Sequence, residues 1–377
     1  MVKGQNDMAK QTCQQCQRNF EAPDSPQGAT VTCPLCGRKT ELPPVPGNVF
    51  NWKLPPIEAS KGLELSEVTR IANLLVSNIE RVIVGKHEQV QLAVATLFAE
   101  GHLLVEDVPG VAKTMLARTL AASAGCSFKR IQCTPDLHPG DVLGESSVDP
   151  ETGRSEFRAG PLFAQVVLVD EINRASPRTQ AAMLEAMGEG MISKGRVTYD
   201  LERPFMVLAT QNPIDQEGTF RLPEAQLDRF LIRMSLGYPS PGDERNMCER
   251  FKLRHPFDDL KSVSKPEQIL ACQQAVRTVQ IGPEIYDYVL AIVHATREHP
   301  ALRLGASPRG SLGLLRCSQA LATMLGQTAV TPAHIQALAR PVLAHRLLAQ
   351  PGQGDDKAAT AGIIEEVLKG INRRSAT

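Results

Sequence analysis

The sequence predicts an α/β domain built on a parallel sheet, which is followed by an all-helical domain and preceded by a small cysteine-rich segment. Three observations lead to this prediction. Four of the nine cysteines lie between residues 13 and 36, short apolar runs alternate with helical segments over residues 65–238, and the apolar spacing is helical over residues 239–371. With 377 residues, of which 42% are hydrophobic, the chain is long enough for two or three domains.

The charges of the chain balance, which limits the partners that it is expected to have. Lysine plus arginine and aspartate plus glutamate both number 41, so the net charge is zero and no global basic field attracts nucleic acid. The first 13 residues lack the apolar stretch of a secretion signal, and no apolar run approaches the roughly 18 residues of a membrane helix. We therefore expect a soluble, cytoplasmic protein with no membrane insertion.

The first predicted element is a zinc ribbon over residues 10–42. Cys13 and Cys16 form one C-x-x-C pair and Cys33 and Cys36 form another, with 16 residues between the pairs. Four thiolates at this spacing suit the tetrahedral ligand set of Zn²⁺, although a redox-active pair is an alternative. About 30 residues cannot bury a core of their own, so Zn²⁺ would supply most of the folding free energy.

The α/β domain is predicted over residues 65–238, after a proline-rich linker at 43–64. Its strands are short, continuous apolar runs, which are typical of a parallel sheet that is covered by helices on both faces. The predicted strands are 102–106, 128–133, 165–170, 205–210 and 230–236. The predicted helices are one that begins at residue 65 and those at 87–100, 113–124 and 177–188, with a hairpin-like stretch at 190–203.

The helical domain is predicted over residues 239–371, with a tail at 372–377. It follows the turn-forming stretch "GYPSPGDE" at 237–244, beyond which the pattern is wholly helical. The predicted helices are 243–254, 265–279, 283–298, 307–325, 331–348 and 358–371.

A candidate phosphate-binding loop joins the first strand of the sheet to the helix at residue 113. Its residues are Pro109, Gly110, Val111, Ala112, Lys113 and Thr114. Such a loop must turn main-chain N–H groups toward phosphate oxygens at the start of a helix. Gly110 permits close approach, Lys113 can reach the β- and γ-phosphates, and the Thr114 hydroxyl can bind Mg²⁺. A plain strand-to-helix turn is the alternative.

The loop departs at two positions from the usual pattern G-x-x-x-x-G-K-[ST], which would have glycine at Asp107 and Ala112. Ala112 is small enough to preserve access to the loop. Asp107 is the larger departure, because a carboxylate near phosphate would repel it. Nucleotide affinity would suffer unless the Asp107 side chain turns away toward a neighbouring loop or a helix end.

Two further strands end in polar residues. The buried strand in "QVVLVDEINRA" ends at Asp170 and Glu171, at the edge where α/β sheets bind their ligands. Asp170 is a candidate Mg²⁺ ligand and Glu171 a candidate base for the attacking water. Asn212, in "VLATQNP", could orient the same water, or it could simply form an Asn-Pro turn.

Two arginines complete the set of candidates. Arg229 lies between a short helix and a strand, where a surface salt bridge with Asp228 is the simpler interpretation. Arg309 follows the capping residue Ser307 in the first turn of a predicted helix. A cation at that position opposes the helix dipole unless an anion such as phosphate is its partner.

The stretches "EDVPGVAKT", "VLVDEINRASPRTQAAMLEAM", "ATQNPIDQEGTFRLPEAQLDRF" and "GASPRG" occur in an order that resembles the MoxR branch of the AAA+ ATPases, over roughly residues 65–371. The resemblance implies an AAA+ P-loop core, with a parallel five-stranded sheet between helices, followed by an all-helical lid domain. It also implies ATP hydrolysis with Mg²⁺. In this family's terms Asn212 is the first sensor, Arg229 the arginine finger and Arg309 the second sensor in the lid.

The same resemblance implies how the subunits assemble and what they act on. An arginine finger that serves a neighbouring subunit requires a ring, for which a hexamer is the expected size. ATP would then lie between the sheet domain, the lid of the same chain and Arg229 of the next subunit. The insertion at 134–163 and the hairpin at 189–203 also match the family. Implied roles are chaperone activity, metal insertion or complex assembly on a protein client, such as one with a von Willebrand factor A domain.

Two other functions are compatible with parts of the sequence. A motor that acts on nucleic acid could use the zinc ribbon as its DNA-binding element, but the charges of residues 10–41 are nearly balanced and Phe20 is the one aromatic residue there. A non-enzymatic scaffold with an inactive nucleotide fold is the second alternative. Against it, every catalytic position is occupied by a competent residue.

Overall fold

The chain divides into two compact units, Met1–Lys61 and Gly62–Thr377. The structure, a computed structural model, describes residues 63–148, 155–194, 197–212, 219–252, 254–351 and 356–374, together with four short strands near the N-terminus.

The first unit contains two antiparallel hairpins. In one hairpin β1 (Met8–Thr12) pairs with β2 (Asn19–Pro23), and in the other β3 (Thr30–Thr32) pairs with β4 (Lys39–Glu41). The zinc ribbon stays a prediction, because Cys13, Cys16, Cys33 and Cys36 lie outside the described residues, as does nearly all of the predicted linker.

The second unit is built on a five-stranded parallel sheet. The strands of this unit are β5 (Leu103–Glu106), β6 (Phe128–Gln132), β7 (Gly144–Val148), β8 (Ser155–Ala159), β9 (Val166–Asp170), β10 (Met191–Lys194), β11 (Val197–Asp200), β12 (Met206–Gln211), β13 (Ile232–Met234), β14 (Leu302–Leu304) and β15 (Leu348–Ala349). The spatial order of the parallel sheet is β13-β5-β12-β9-β6. Two antiparallel hairpins, β7–β8 and β10–β11, and a short antiparallel pair, β14–β15, accompany it.

Helices surround this sheet and form most of the second half of the unit. They are α1 (Leu65–Glu80), α2 (His87–Phe98), α3 (Lys113–Ala124), α4 (Pro139–Leu143), α5 (Pro177–Glu189), α6 (Glu224–Leu227), α7 (Pro241–Arg250), α8 (Pro266–Val276), α9 (Pro283–Glu298), α10 (Pro308–Met324), α11 (Pro332–Leu343) and α12 (Asp356–Arg374). Two short 3-10 helices cover Ile172–Arg174 and Ala344–Arg346. None of the helices in the described part of the chain is long and apolar enough to cross a membrane.

The sheet is covered on both faces, as its continuous apolar strands predict. On β5 the side chains of Leu103 and Val105 pack into the core formed with α1, α2 and α3, whereas Leu104 packs into the core formed with Met183 and Leu184 of α5. This alternation follows from the two-residue period of a strand. The predicted α/β class is therefore confirmed.

The second half of the unit is not wholly helical, which corrects the sequence-based expectation. The helix predicted at 331–348 ends at Leu343, and the chain tightens into the 3-10 turn Ala344–Arg346 before β15 pairs with β14. The turn directs the side chain of Arg346 into the interior, where it binds Asp228. A long-range contact of this kind leaves no periodic signal in the sequence.

Candidate active site

The loop between β5 and α3 has the backbone of a phosphate-binding loop. Because α3 begins at Lys113, the N–H groups of its first turn have no partner within the helix. Gly110 has a φ of +86°, and a Cβ built on it would meet no atom within 4 Å. Ala112 adopts a left-handed conformation, with φ 63° and ψ 24°. The usual glycine of this position is thus absent while its backbone conformation is retained.

Asp107 turns its carboxylate away from the loop. Oδ2 accepts hydrogen bonds from Gly237 N at 2.6 Å and Ser235 Oγ at 2.9 Å, and Oδ1 accepts one from Val108 N at 2.9 Å. Burial alone would raise the pKa of this carboxyl, but the hydrogen bonds lower it below its usual value. The carboxylate thus has the orientation, toward a neighbouring segment of the chain, on which nucleotide affinity was expected to depend.

The Lys113 ammonium lies over the loop and close to the acidic residues of the site. Its Nζ donates a hydrogen bond to Asp107 O at 2.6 Å. Burial lowers the pKa of Lys113, and the nearby carboxylates of Asp107, Asp170 and Glu171 oppose that shift. The structure thus brings the lysine of the loop and the strand-end carboxylates to one place.

Thr210 on β12 connects Asp170, the last residue of β9, with Glu171, which follows it. Its Oγ1 donates to Asp170 Oδ1 at 2.6 Å and accepts a hydrogen bond from Glu171 N at 2.8 Å. Glu171 has a left-handed backbone, with φ 55° and ψ 52°, and its Oε2 accepts from Arg174 Nη1 at 3.0 Å. Thr210 holds the two residues in fixed relative positions. Sequence reasoning missed it, although a threonine directly after the apolar run at 206–209 was a signal.

Asp170 has a second partner that the sequence did not suggest. Its Oδ2 accepts hydrogen bonds from Arg130 Nη2 at 2.6 Å and Nε at 3.2 Å. Arg130 lies on β6, where the parallel register pairs Gln132 with Asp170. A cation already lies against this carboxylate in the protein alone.

Asn212 lies at the same edge of the sheet. It directly follows β12, which lies between β5 and β9 in the sheet. Its main-chain oxygen lies 3.5 Å from Asn173 Nδ2, so the segments that follow β9 and β12 approach each other there. In the strand order of the sheet, Asn212 thus comes between the loop that follows β5 and the carboxylates at the end of β9.

Arg229 and Arg309 lie at the opposite edge of the sheet, where the parallel strands begin. Together with Gly101 and His102, which precede β5, they line a cavity of about 290 Å³. The phosphate loop follows the other end of β5, and the five residue steps from His102 to Asp107 span about 16 Å at about 3.3 Å per step. The expectation that Arg309 and Lys113 of one chain close on the same nucleotide does not agree with this arrangement.

Asp228 explains why Arg309 lies beside Arg229. Both oxygens of its carboxylate accept from Ser307 Oγ, at 3.0 and 2.9 Å, and Oδ2 lies 4.0 Å from Arg309 Nη1. Ser307 caps α10 by accepting a hydrogen bond from Arg309 N, as predicted. Arg229 Nη1 donates to Leu184 O at 2.7 Å, while Asp228 forms its close ion pair with Arg346. The simple Arg229–Asp228 salt bridge is replaced by these contacts.

The residues at the loop edge fit a nucleoside triphosphate with Mg²⁺. The open space at Gly110 and the unpaired first turn of α3 provide a cradle for phosphate oxygens. The Thr114 hydroxyl and the Asp170 carboxylate offer oxygen ligands, and Mg²⁺ is usually held by one or two protein oxygens together with substrate phosphates. Among the described residues, no group of three or more His, Cys, Asp or Glu forms a metal cage made of protein alone.

The chain is similar to known proteins over most of its length. A family model described as "ATPase family associated with various cellular activities (AAA)" matches residues 102–232, and one described as "AAA lid domain" matches residues 294–367. The "Uncharacterized protein YeaC" of Bacillus subtilis is 45% identical over 296 residues, which make up 78% of this chain and 92% of that protein. "Chaperone MoxR1" of Mycobacterium tuberculosis is 38% identical over 304 residues, which make up 78% of this chain and 80% of that protein.

A solved structure shares the fold. The crystal structure of a candidate ATPase from Cytophaga hutchinsonii matches with a TM-score of 0.75 and 32% sequence identity, and the match covers 81% of this chain and 95% of that chain. These similarities span both the loop edge of the sheet and the helical domain that carries Arg309.

Proposed function

The chain belongs to the MoxR family of AAA+ ATPases, and from this membership we propose that it hydrolyses ATP within a ring of identical subunits and so remodels or activates partner proteins. One observation carries the proposal. Thr210 binds both Asp170 and Glu171, and these carboxylates lie beside Lys113 at the end of a loop with phosphate-binding backbone. Because open α/β sheets bind their ligands outside the carboxyl ends of the strands, this convergence favours a functional site.

At the loop edge each residue has a separate task in this proposal. Lys113 and the N–H groups at the start of α3 bind the phosphates of the substrate ATP. Thr114 and Asp170 would hold Mg²⁺, which would neutralise negative charge on the phosphates of the substrate. Glu171 accepts a proton from the attacking water, and Asn212 orients that water in line with the bond to be broken.

At the other edge the two arginines serve the neighbouring subunit. Arg229 and Arg309 lie about one strand length from their own chain's loop, so a triphosphate held by a second copy is the natural partner for both. Head-to-tail contact places the arginine edge of one subunit against the loop edge of the next, and repetition of such a contact closes a ring, for which we propose a hexamer. An arginine finger supplied in this way raises phosphoryl-transfer rates by about 10³–10⁵ in other NTPases.

The two hairpins are the proposed link to the client. Phe157 of β8 stacks on Tyr199 of β11 with ring centroids 4.2 Å apart and an interplanar angle of 17°, and Phe163 lies against both rings. A movement of one hairpin is therefore passed to the other. We propose a protein client, such as one with a von Willebrand factor A domain, in metal insertion or complex assembly. The relative named as a chaperone favours a protein client over nucleic acid.

Zn²⁺ belongs to the proposal as the metal of a docking module at the N-terminus. In the sequence, Cys13 and Cys16 lie between the paired strands β1 and β2, and Cys33 and Cys36 lie between β3 and β4. Hairpins with a C-x-x-C pair between their strands are the usual source of zinc ligands in ribbons. Metal analysis of the purified protein is expected to find one zinc per chain and a clear loss in Cys33→Ser. Equal zinc contents would contradict the assignment.

Phosphate release tests the enzymatic core of the proposal. Glu171→Gln should bind ATP as the unmodified protein does while turnover falls by at least about 10²-fold, because general-base catalysis is lost. Lys113→Ala should abolish ATP binding. Mixed rings of Arg229→Ala and Lys113→Ala subunits should recover activity, because an intact loop then meets an intact arginine. Native mass spectrometry establishes that the rings are mixed. If such rings stay inactive, Arg229 does not act on the ATP of the neighbouring subunit.

A further inference from the structure

Arg346 is a buried cation of the helical domain that forms hydrogen bonds with the residues on both sides of Arg229. It ends the 3-10 turn after α11, and only 3% of its side chain is exposed. Its Nε donates to Asp228 Oδ1 at 2.9 Å, and its Nη2 donates to Phe230 O at 2.7 Å and Asp228 O at 3.3 Å. The guanidinium therefore binds the main-chain carbonyls of the residues on both sides of Arg229.

Only arginine can make this set of contacts. Its planar fork carries five N–H donors, and Nη1 extends the grip to Leu231 O at 3.2 Å. A lysine at this position would bring a single point charge that can satisfy only part of the set. Burial of such a charge is costly unless it is paired, and the Asp228 carboxylate provides the pair.

A neutral histidine reinforces the same contact. His345 Nε2 lies 2.9 Å from Phe230 O. Burial keeps the pKa of His345 well below its usual value, with the neighbouring Arg346 acting in the same direction, so the ring is uncharged. His345 and Arg346, two consecutive residues of the turn, thus both contact the carbonyl oxygen of Phe230. Residues 228–231, which include Arg229, are called the finger segment below.

Asp228 also ties the finger segment to the start of α10. Its carboxylate accepts from the capping residue Ser307, whose neighbour Arg309 lines the same cavity as Arg229. The segment around Arg229 is therefore fastened to the helical domain at two places, through Arg346 and through Ser307. A rotation of the helical domain would carry Arg229 with it.

We propose that Arg346 is a positioning residue for Arg229, whose guanidinium it presents at a fixed place to the ATP of the neighbouring subunit. The inference rests on the proposed function, in which Arg229 acts in trans. Arg346 touches no nucleotide and acts only through the backbone on either side of Arg229. Movement of the helical domain in one subunit thereby changes ATP hydrolysis in the next.

A double-mutant cycle tests whether Arg346 acts through Arg229. Arg346→Met keeps the length of the side chain and should lower kcat by about 10–100-fold, since a displacement of about 1 Å in a catalytic group can cost 10²-fold. The ATP dissociation constant of the same subunit should not change. In an Arg229→Ala background, Arg346→Met should lower kcat no further. An additional loss of the same factor, or weaker ATP binding, would overturn the inference.

Mixed rings separate a failure of this inference from a failure of the proposed function. Arg346→Met subunits mixed with Lys113→Ala subunits should recover activity as Arg229→Ala subunits do. Recovery with Arg229→Ala but not with Arg346→Met would contradict the positioning role alone. No recovery in either mixture would contradict the action of Arg229 on the neighbouring subunit. Arg340→Met removes an exposed arginine of α11 and serves as the matched control, with activity unchanged.

A second variant covers the case in which Arg346→Met does not fold. Arg346→Lys keeps the charge beside Asp228 but loses most of the carbonyl contacts. Its kcat should fall below that of the unmodified protein, with no further loss in the Arg229→Ala background. Thermal unfolding and native mass spectrometry establish that the rings compared are folded. Full activity of Arg346→Lys would contradict the need for the guanidinium fork.

Discussion

The carboxylate of Asp107 lies 2.6 Å from the main-chain nitrogen of Gly237, and this hydrogen bond joins the phosphate loop to the segment that leaves β13 for the helical domain. The same residue accepts the Lys113 ammonium on its main-chain oxygen at 2.6 Å. Asp107 thus accepts a hydrogen bond from Lys113 and also holds the segment that follows β13. Asp107, which replaces the usual glycine of such loops, therefore stabilises the loop through these contacts.

Asp107→Asn should weaken both the fold and the binding of ATP. The asparagine amide has one accepting oxygen and one donating NH2 group in place of two accepting oxygens, so at least one of the donors Gly237 N, Ser235 Oγ and Val108 N loses its partner. Hydrogen bonds to a charged group are worth about 1.5–3 kcal/mol each, so the free energy of unfolding should fall by at least about 1.5 kcal/mol. Denaturant unfolding and the ATP dissociation constant measure the two effects. Stability equal to that of the unmodified protein would show that the three contacts contribute nothing.

The unmodified protein and Asp107→Asn should differ in how their stability depends on pH. The folded pKa of Asp107 is lowered from its ordinary value of about 3.8, so its contribution to stability is fully present above that pH and is lost as the pH falls through the folded value. The difference in unfolding free energy between the unmodified protein and Asp107→Asn should therefore be constant from pH 7 to about 4 and shrink below about 4. Urea unfolding at a series of pH values measures this difference, and a difference that grows as the pH falls below about 4 would contradict the prediction.

The sequence predicted those parts of the structure whose signals are local. Helix α3 runs from Lys113 to Ala124, as predicted, because the loop ends in Lys-Thr and Gly125 adopts a left-handed conformation that ends the helix. The strands β5 and β9 begin within one residue of the predicted positions, because each is a continuous apolar run. Each of these features depends on residues that are close together in the chain.

The features that the sequence did not predict depend on contacts between distant residues. Thr210 gains its role only because β12 lies next to β9 in the sheet, although the two strands are not consecutive in the chain. Arg346 meets Asp228 from 118 residues away. The edge at which Arg309 lies is likewise set by how the helical domain packs against the sheet, and no periodicity carries that information.

Thr210→Val should impair catalysis more than it impairs substrate binding. Valine has nearly the same shape but leaves Glu171 N without its acceptor and Asp170 Oδ1 without its donor. The two carboxylates then lose their common support, and kcat should fall by about 10–100-fold while KM changes little. Thr210→Ser keeps the hydroxyl and should retain most of the activity. Steady-state phosphate release compares the two variants, and equal activities would rule out a role for the hydroxyl.

Ala112→Gly should stabilise the protein and leave ATP hydrolysis intact. Ala112 has a φ of 63°, and the left-handed conformation costs an alanine about 1–2 kcal/mol, a penalty that glycine does not have. Part of this gain is offset by the larger conformational entropy of glycine in the unfolded chain, so a net increase of up to about 1 kcal/mol is expected. Ala112→Val, which adds a β-branched side chain to the same backbone conformation, should be destabilising. Denaturant midpoints of the two variants check this order, and a destabilised glycine variant would contradict it.

Arg309→Ala should reduce hydrolysis at the neighbouring subunit's site and not ATP binding at its own. Arg309 lines the cavity that also contains Arg229, about one strand length from the phosphate loop of the same chain, so removal of its charge leaves that loop unchanged. We expect kcat to fall by about tenfold or more in uniform rings, with the ATP dissociation constant of the isolated subunit unaltered. Mixed rings of Arg309→Ala and Lys113→Ala subunits should recover activity, whereas Arg303→Ala, which removes an exposed arginine of the same domain, should have no effect alone. If Arg309 instead closed on the nucleotide of its own chain, the mixture would stay inactive and the dissociation constant of Arg309→Ala would rise, so the two measurements together decide which copy's ATP this arginine serves.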